Sequence, residues 1–122
     1  MNPRYALAAF IYCAAIFYES AHQIPYQVDQ KLPGIDKVTH AAMYGVLAVI
    51  VSLGMRRSGK AWSTRAQFFV PVVFAMIYGM SDEIHQYFVP GRSFDPLDEL
   101  SNTAGAVLPQ YYLVVRRWGL KL

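Results

Sequence analysis

The chain has 122 residues, about one domain, and with 55% hydrophobic and 16% charged residues it is more apolar than an ordinary water-soluble domain. Its net charge of +3 does not point to nucleic acid, because the basic residues sit between apolar runs and not along a solvated, groove-reading element. A single cysteine, Cys13, excludes an internal disulfide and a cysteine-rich metal knuckle.

Four apolar runs follow one another at 6–18, 41–55, 68–80 and 103–115. The first follows Arg4 and reads as a retained helix, since Glu19-Ser20-Ala21 offers no small-x-small cleavage site. The connection over 20–35 contains Pro25, Pro33 and Gly34 and reads as an outer loop or partial hairpin. Each run is shorter than the ~20 residues that cross a hydrocarbon core, so the second is extended back to Asp36, the third forward to Gln86 and the fourth back to Pro96. The restored turn is polar every time. The expectation is one domain over 1–122 with helices at about 5–20, 36–56, 66–87 and 96–116. Asp36 can cap the second helix, and Asp95-Pro96-Leu97-Asp98 has the composition of a helix start. Pro71 and Pro109 are expected to kink their helices, a break that neighbouring helices can satisfy. Tyr5, Tyr18, Trp62, Tyr87, Tyr111, Tyr112 and Trp118 lie near span ends, where aromatic rings anchor at an interface.

Charge placement separates a membrane bundle from a soluble one. With alternating helices, Arg4, Arg56, Arg57, Lys60, Arg65, Arg116, Arg117 and Lys121 share one end. Lys31, Lys37 and Arg92 fall at the other, together with all three histidines and all the acids: Glu19, Asp29, Asp36, Asp82, Glu83, Asp95, Asp98 and Glu99. A soluble bundle has no reason to sort charge in this way. The positive-inside pattern predicts an all-α, integral membrane four-helix bundle with both termini cytoplasmic, multi-pass in the cell membrane.

The polar turns carry the residues that could do chemistry. Asp36, His40 and Tyr44 lie within about 80° of arc on the second helix. On the third, Asp82, His85 and Gln86 share a face by their i, i+3, i+4 spacing, with Glu83 expected to point elsewhere. Asp98 and Asn102 stand one turn apart on the fourth, and Arg92 follows Pro90-Gly91. Ionisable groups below the headgroups are costly unless paired, hydrated or turned to the bundle interior, so the set is read as a site. His40, Asp82, His85 and Asp98 are the candidate catalytic groups. Asp36, Lys37, Tyr44, Glu83, Gln86, Arg92 and Asn102 are the candidate ligand contacts. A histidine paired with Asp82 or Asp98 suits acid-base work, and Lys37 with Arg92 could hold an anion such as a lipid phosphate. His40, His85 and one carboxylate from Asp82, Glu83 or Asp98 would make a metal set, but sequence spacing between helices does not decide it, and no cofactor is assigned. Nucleophile motifs, phosphate-cradling glycine loops and dinucleotide fingerprints are absent.

At these residues the chain resembles the VanZ-like family, named for the membrane protein that accompanies glycopeptide-resistance clusters and is associated with teicoplanin resistance. The resemblance is carried by Asp36-Lys37 with His40 and Tyr44, by Ser81-Asp82-Glu83-Ile84-His85-Gln86-Tyr87-Phe88-Val89-Pro90-Gly91-Arg92, and by Asp98 with Asn102 and Gly105. It runs over about 17–107 and departs at Ala41, where an aromatic is common, and at Leu108-Pro109, where small residues are expected. It implies a small multi-helix membrane domain of the cell envelope, in the bacterial inner membrane, and no settled reaction. The resulting expectation is a binding protein that holds an anionic amphiphile or lipid headgroup at the outer leaflet. The alternative is a membrane-embedded enzyme that modifies such a headgroup by acid-base or metal-assisted chemistry. The expected partner is a membrane lipid or lipid-like small molecule, and no protein partner is indicated.

Overall fold

A computed structural model describes residues 1–22, 34–91 and 93–122. The expected hairpin within 20–35 and the side chain of Arg92 lie outside the described residues, apart from the ends of that connection. Among the described residues the fold is all-helical: α1 spans Pro3–Ser20, α2 Ile35–Arg56, α3 Thr64–Tyr87 and α4 Pro96–Gln110. A wider, π-type segment, Tyr111–Arg117, continues from α4. By length and composition, α2 is the one described helix that qualifies to cross a membrane.

Local chemistry sets the helix starts. Asn2 caps α1 with its side-chain oxygen on the Arg4 N–H, ahead of Pro3 at the first position. Asp95 does the same for α4, accepting from the Leu97 N–H at 2.9 Å. At α2 the expectation of an Asp36 cap is corrected. Gly34, with φ of 83°, makes the left-handed turn into the helix, and Asp36 lies in the first turn, where its charge opposes the positive end of the helix dipole.

The proline readings divide. α3 runs unbroken through Pro71, which is buried, whereas α4 gives way to the π-type segment directly after Pro109. Pro109 has no N–H for the Gly105 carbonyl, and the ladder rewinds one turn later with the larger repeat.

Helix directions alternate. The Asn2 N–H bonds the Gly54 carbonyl, which sets the start of α1 against the end of α2. At the other end of the bundle, the start of α2 meets both the end of α3 and the start of α4. α2 is central and its contact with α4 is the most extensive in the fold. Small residues allow this approach: a Cβ on Gly105 would penetrate the backbone of Ala41, and one on Gly45 would lie 2.8 Å from the Gly105 carbonyl oxygen. Ala41 with Gly45 and Ser101 with Gly105 are the small-xxx-small pairs of the two helices. Along the core, Leu47, Ala48, Val51 and Met55 of α2 pack with Ala9 and Ile16 of α1, Ala75 of α3 and Ala106 of α4.

Candidate functional site

The close α2/α4 crossing brings Lys37, His40 and Tyr44 against Asp98 and Asn102, and α3 closes the third side with Asp82, Glu83 and Gln86. His40, Tyr44, Asp82, Glu83, Gln86, Asp98 and Asn102 are all buried. The Lys37 ammonium donates to Asp98 Oδ1 at 2.5 Å and Asp95 Oδ2 at 2.6 Å, and lies 3.6 Å from Asp36 Oδ2. That lysine, with the Leu97 N–H, holds the Asp95 carboxyl below its ordinary value of 3.8.

A second thread runs deeper. Asn102 Nδ2 donates to Glu99 Oε2 at 3.3 Å, and Asn102 Oδ1 lies 3.0 Å from His40 Nδ1. The other ring nitrogen of His40 faces Asp36 Oδ1 at 3.6 Å. From α3, Asp82 Oδ2 accepts the Tyr44 hydroxyl at 3.1 Å and Gln86 Nε2 at 3.4 Å. Glu83 Oε2 accepts the Asp95 N–H at 3.2 Å, which ties α3 to the start of α4. Asp82 Oδ1 and Glu83 Oε1 are buried with no hydrogen-bond partner among the described residues.

Two side-chain directions differ from the sequence reading. Glu83, expected to point elsewhere, is fully buried and faces the network, while His85, expected to join it, turns to α1 and stacks on Phe17 at 4.3 Å between ring centroids. The buried residues Ala75, Gly79, Asp82 and Gln86 centre the inward face of α3 between Ala75 and Gln86. At about 100° per residue, Glu83 is then about 70° from that centre and His85 about 90° from it on the opposite side. Tyr78 shares the His85 side and donates its hydroxyl to the Cys13 carbonyl of α1 at 2.6 Å.

Among the described residues the metal-ligating atoms that come together are those of Asp36, His40 and Asp98, all within 4.8 Å of one another, and His85 is not among them. The sequence model of the VanZ/LLP1 family matches residues 3–116. The chain belongs to the VanZ/LLP1 family. Searches of curated proteins and of solved structures return no match.

In this VanZ/LLP1 chain three contributors to the network lie outside the sequence-derived set. Glu99 orients Asn102, and Asp95 shares Lys37 with Asp98. Gly79 makes room for both Glu99 and Asn102: a Cβ there would lie 2.6 Å from Glu99 Oε2 and 2.9 Å from Asn102 Nδ2. The i, i+3 spacing of Glu99 and Asn102 was the available signal for the first. Nothing in the sequence marked Gly79, because the atoms it accommodates belong to another helix. The half of the bundle away from this network also holds polar groups outside the sequence-derived set: Ser52 and Gln110 are fully buried, and their side-chain polar atoms have no partner among the described residues.

Proposed function

We propose that this VanZ/LLP1 chain is a multi-pass protein of the bacterial cell membrane with both termini in the cytoplasm. In this reading the polar end of the bundle binds the headgroup of a membrane lipid or lipid-like amphiphile at the outer leaflet. The observation that carries it is an inverted distribution of polarity. Glu83, Gln86, Asn102 and Asp98 are buried, while Phe10, Ile11, Val46, Phe69, Ile77 and Leu108 are exposed around the middle of the bundle. A water-soluble monomer rarely leaves so much apolar surface uncovered, and a hydrocarbon solvent removes the cost of exposing it.

The charge preference of the site requires a narrower statement than the sequence supports. Six carboxylates (Asp36, Asp82, Glu83, Asp95, Asp98 and Glu99) surround one lysine among the described residues, and Lys37 is already engaged by three of them. A bare anion would therefore enter a negative field, and an anionic headgroup needs a further cation beside it. The alternative, acid-base chemistry on the headgroup, draws support from the Glu99–Asn102–His40 thread, which orients an imidazole as a general base requires.

Topology is tested by reporter fusions at Ser58 and within 27–30. Cytoplasmic signal from the first and external signal from the second are expected, and the reverse would overturn the topology. Headgroup binding is tested by native mass spectrometry of the protein extracted in mild detergent. Wild type and His85→Ala should retain a lipid that His40→Ala and Glu83→Gln lose; retention in all four would overturn the assignment of the site. The resistance link that the family implies is tested by teicoplanin susceptibility, and an inhibitory concentration unchanged by deletion and by over-expression would remove it.

A further inference from the structure

We propose that Asp36, His40 and Asp98 form a divalent-cation site, with Asn102 and Glu99 as positioning residues that hold the histidine in its ligating tautomer. The argument begins with hydrogen-bond direction. A carboxylate oxygen of Glu99 can only accept, so the Asn102 atom beside it is the amide nitrogen, and the opposite orientation would set two acceptors together. The atom that Asn102 turns to His40 is consequently its oxygen, and His40 Nδ1 carries the proton of that 3.0 Å bond. Its Nε2, whether as a lone pair for a metal ion or as the second N–H of an imidazolium, faces Asp36 Oδ1 3.6 Å away. Lone pair and carboxylate repel unless a positive charge lies between them.

Among the described residues the surroundings hold more acid than cation: Lys37 is the one lysine facing this group of carboxylates, and it meets Asp36, Asp95 and Asp98 together. Asp98 and His40 are 4% and 2% exposed, so neither is relieved by bulk water. Glu83 of α3 is fully buried and keeps Oε1 without a hydrogen-bond partner among the described residues. Lys37 engages Asp98 Oδ1 and stands beside Asp36 Oδ2, and Asp36 Oδ1 is the oxygen that faces His40. Asp36 is the least buried of the three, with a side chain 25% exposed, and gives an ion its path inward.

Ligand atoms around a tetrahedral ion lie about 3.4 Å apart at bond lengths of about 2.1 Å. The present group lies within 4.8 Å, with His40 Nε2 and Asp36 Oδ1 already at 3.6 Å, and it reaches that spacing by contracting at most about 1.4 Å. One nitrogen and two carboxylate oxygens suit zinc or manganese(II) and leave a coordination position open. That position is where a phosphate or carboxylate oxygen of a headgroup would bind, and the ion would offset the acidity of the site. This last step rests on the headgroup reading above; the metal site itself stands on the geometry.

The test is calorimetric titration of zinc chloride into the full chain, metal-stripped, in detergent without added lipid. One equivalent per chain is expected, with affinity falling at least about 100-fold in His40→Ala and Asp98→Asn and about 10- to 100-fold in Asn102→Leu. Arg56→Ala, at the other end of the bundle, should bind as wild type does, and circular dichroism checks that each variant is folded. Absence of saturable binding by the wild type overturns the inference, as does binding that survives both ligand substitutions. Binding that arises only in Arg92→Gln would assign the missing charge to that guanidinium and would equally overturn it. Loss of lipid retention with metal binding intact would remove the headgroup reading and leave the metal site standing.

Discussion

The two ends of the bundle handle charge in opposite ways. At the acidic end the charged groups are inside: Asp82, Glu83 and Asp98 are buried, and one lysine joins three carboxylates from two helices and the loop before α4. At the basic end every arginine and lysine is exposed, and the cations rest on aromatic faces, Arg56 at 4.2 Å from the Trp118 ring and Arg57 at 5.6 Å from Tyr5. Long basic side chains reach polar surroundings from a helix end, whereas short carboxylates on a close helix crossing have no such reach. The acidic end therefore depends on how closely the helices approach, and the basic end depends on little beyond its own side chains.

The sharpest way to break this contrast is to force α2 and α4 apart. Gly105→Val should destabilise the fold by about 3 kcal/mol, the upper part of the usual overpacking range, and should abolish the lipid retention proposed for the acidic end. Thermal unfolding in detergent measures the first effect and native mass spectrometry the second. Lys37→Met should cost less, about 2 kcal/mol. It strands Asp98 without its cation, but Lys37 is one-third exposed and water offsets part of the loss. A double-mutant cycle with Asp98→Asn should recover most of that cost, and full additivity would show that the pair is not coupled. At the basic end, Arg56→Ala should cost only about 0.5–1 kcal/mol through its ring contact and leave the acidic end unaltered.

The smallest expected effect is one of pH. Asp95 is held below its ordinary value by Lys37, so its contribution to stability is present above about 3.8 and is lost as the pH falls through its lower folded value. Acid unfolding of Asp95→Asn should lack that component. An identical acid limb in wild type and variant would show that the Lys37–Asp95 contact adds nothing.

Much of the fold was legible because its signals are local or periodic. Four apolar runs correspond to four helices, the Asp95-Pro96 start is a cap, and the separation of acids from bases along an alternating chain needs no knowledge of packing. Asp36, Lys37, His40, Tyr44, Asp98 and Asn102 could be chosen together for the same reason, since each pairing within a helix follows from 3.6 residues per turn. Two kinds of fact were not legible. One is the rotation of a helix about its own axis: a polar pair such as Glu83 and His85 lies on either side of the inward face, and only the neighbours of α3 decide which side is buried. The other is the distance between helices, set where Gly105 meets Ala41 and where Gly79 admits Glu99 and Asn102.

By itself, then, the sequence determined the helical content, the sorting of charge to the two ends and most of the polar side chains of the acidic end, because backbone periodicity and solvent preference are written residue by residue. The tertiary structure alone decided that Glu83 belongs to the network and His85 does not, and that Asp36, His40 and Asp98 converge. Those outcomes depend on contact between surfaces from different helices, and a few missing methyl groups at the crossings determine how close those surfaces come.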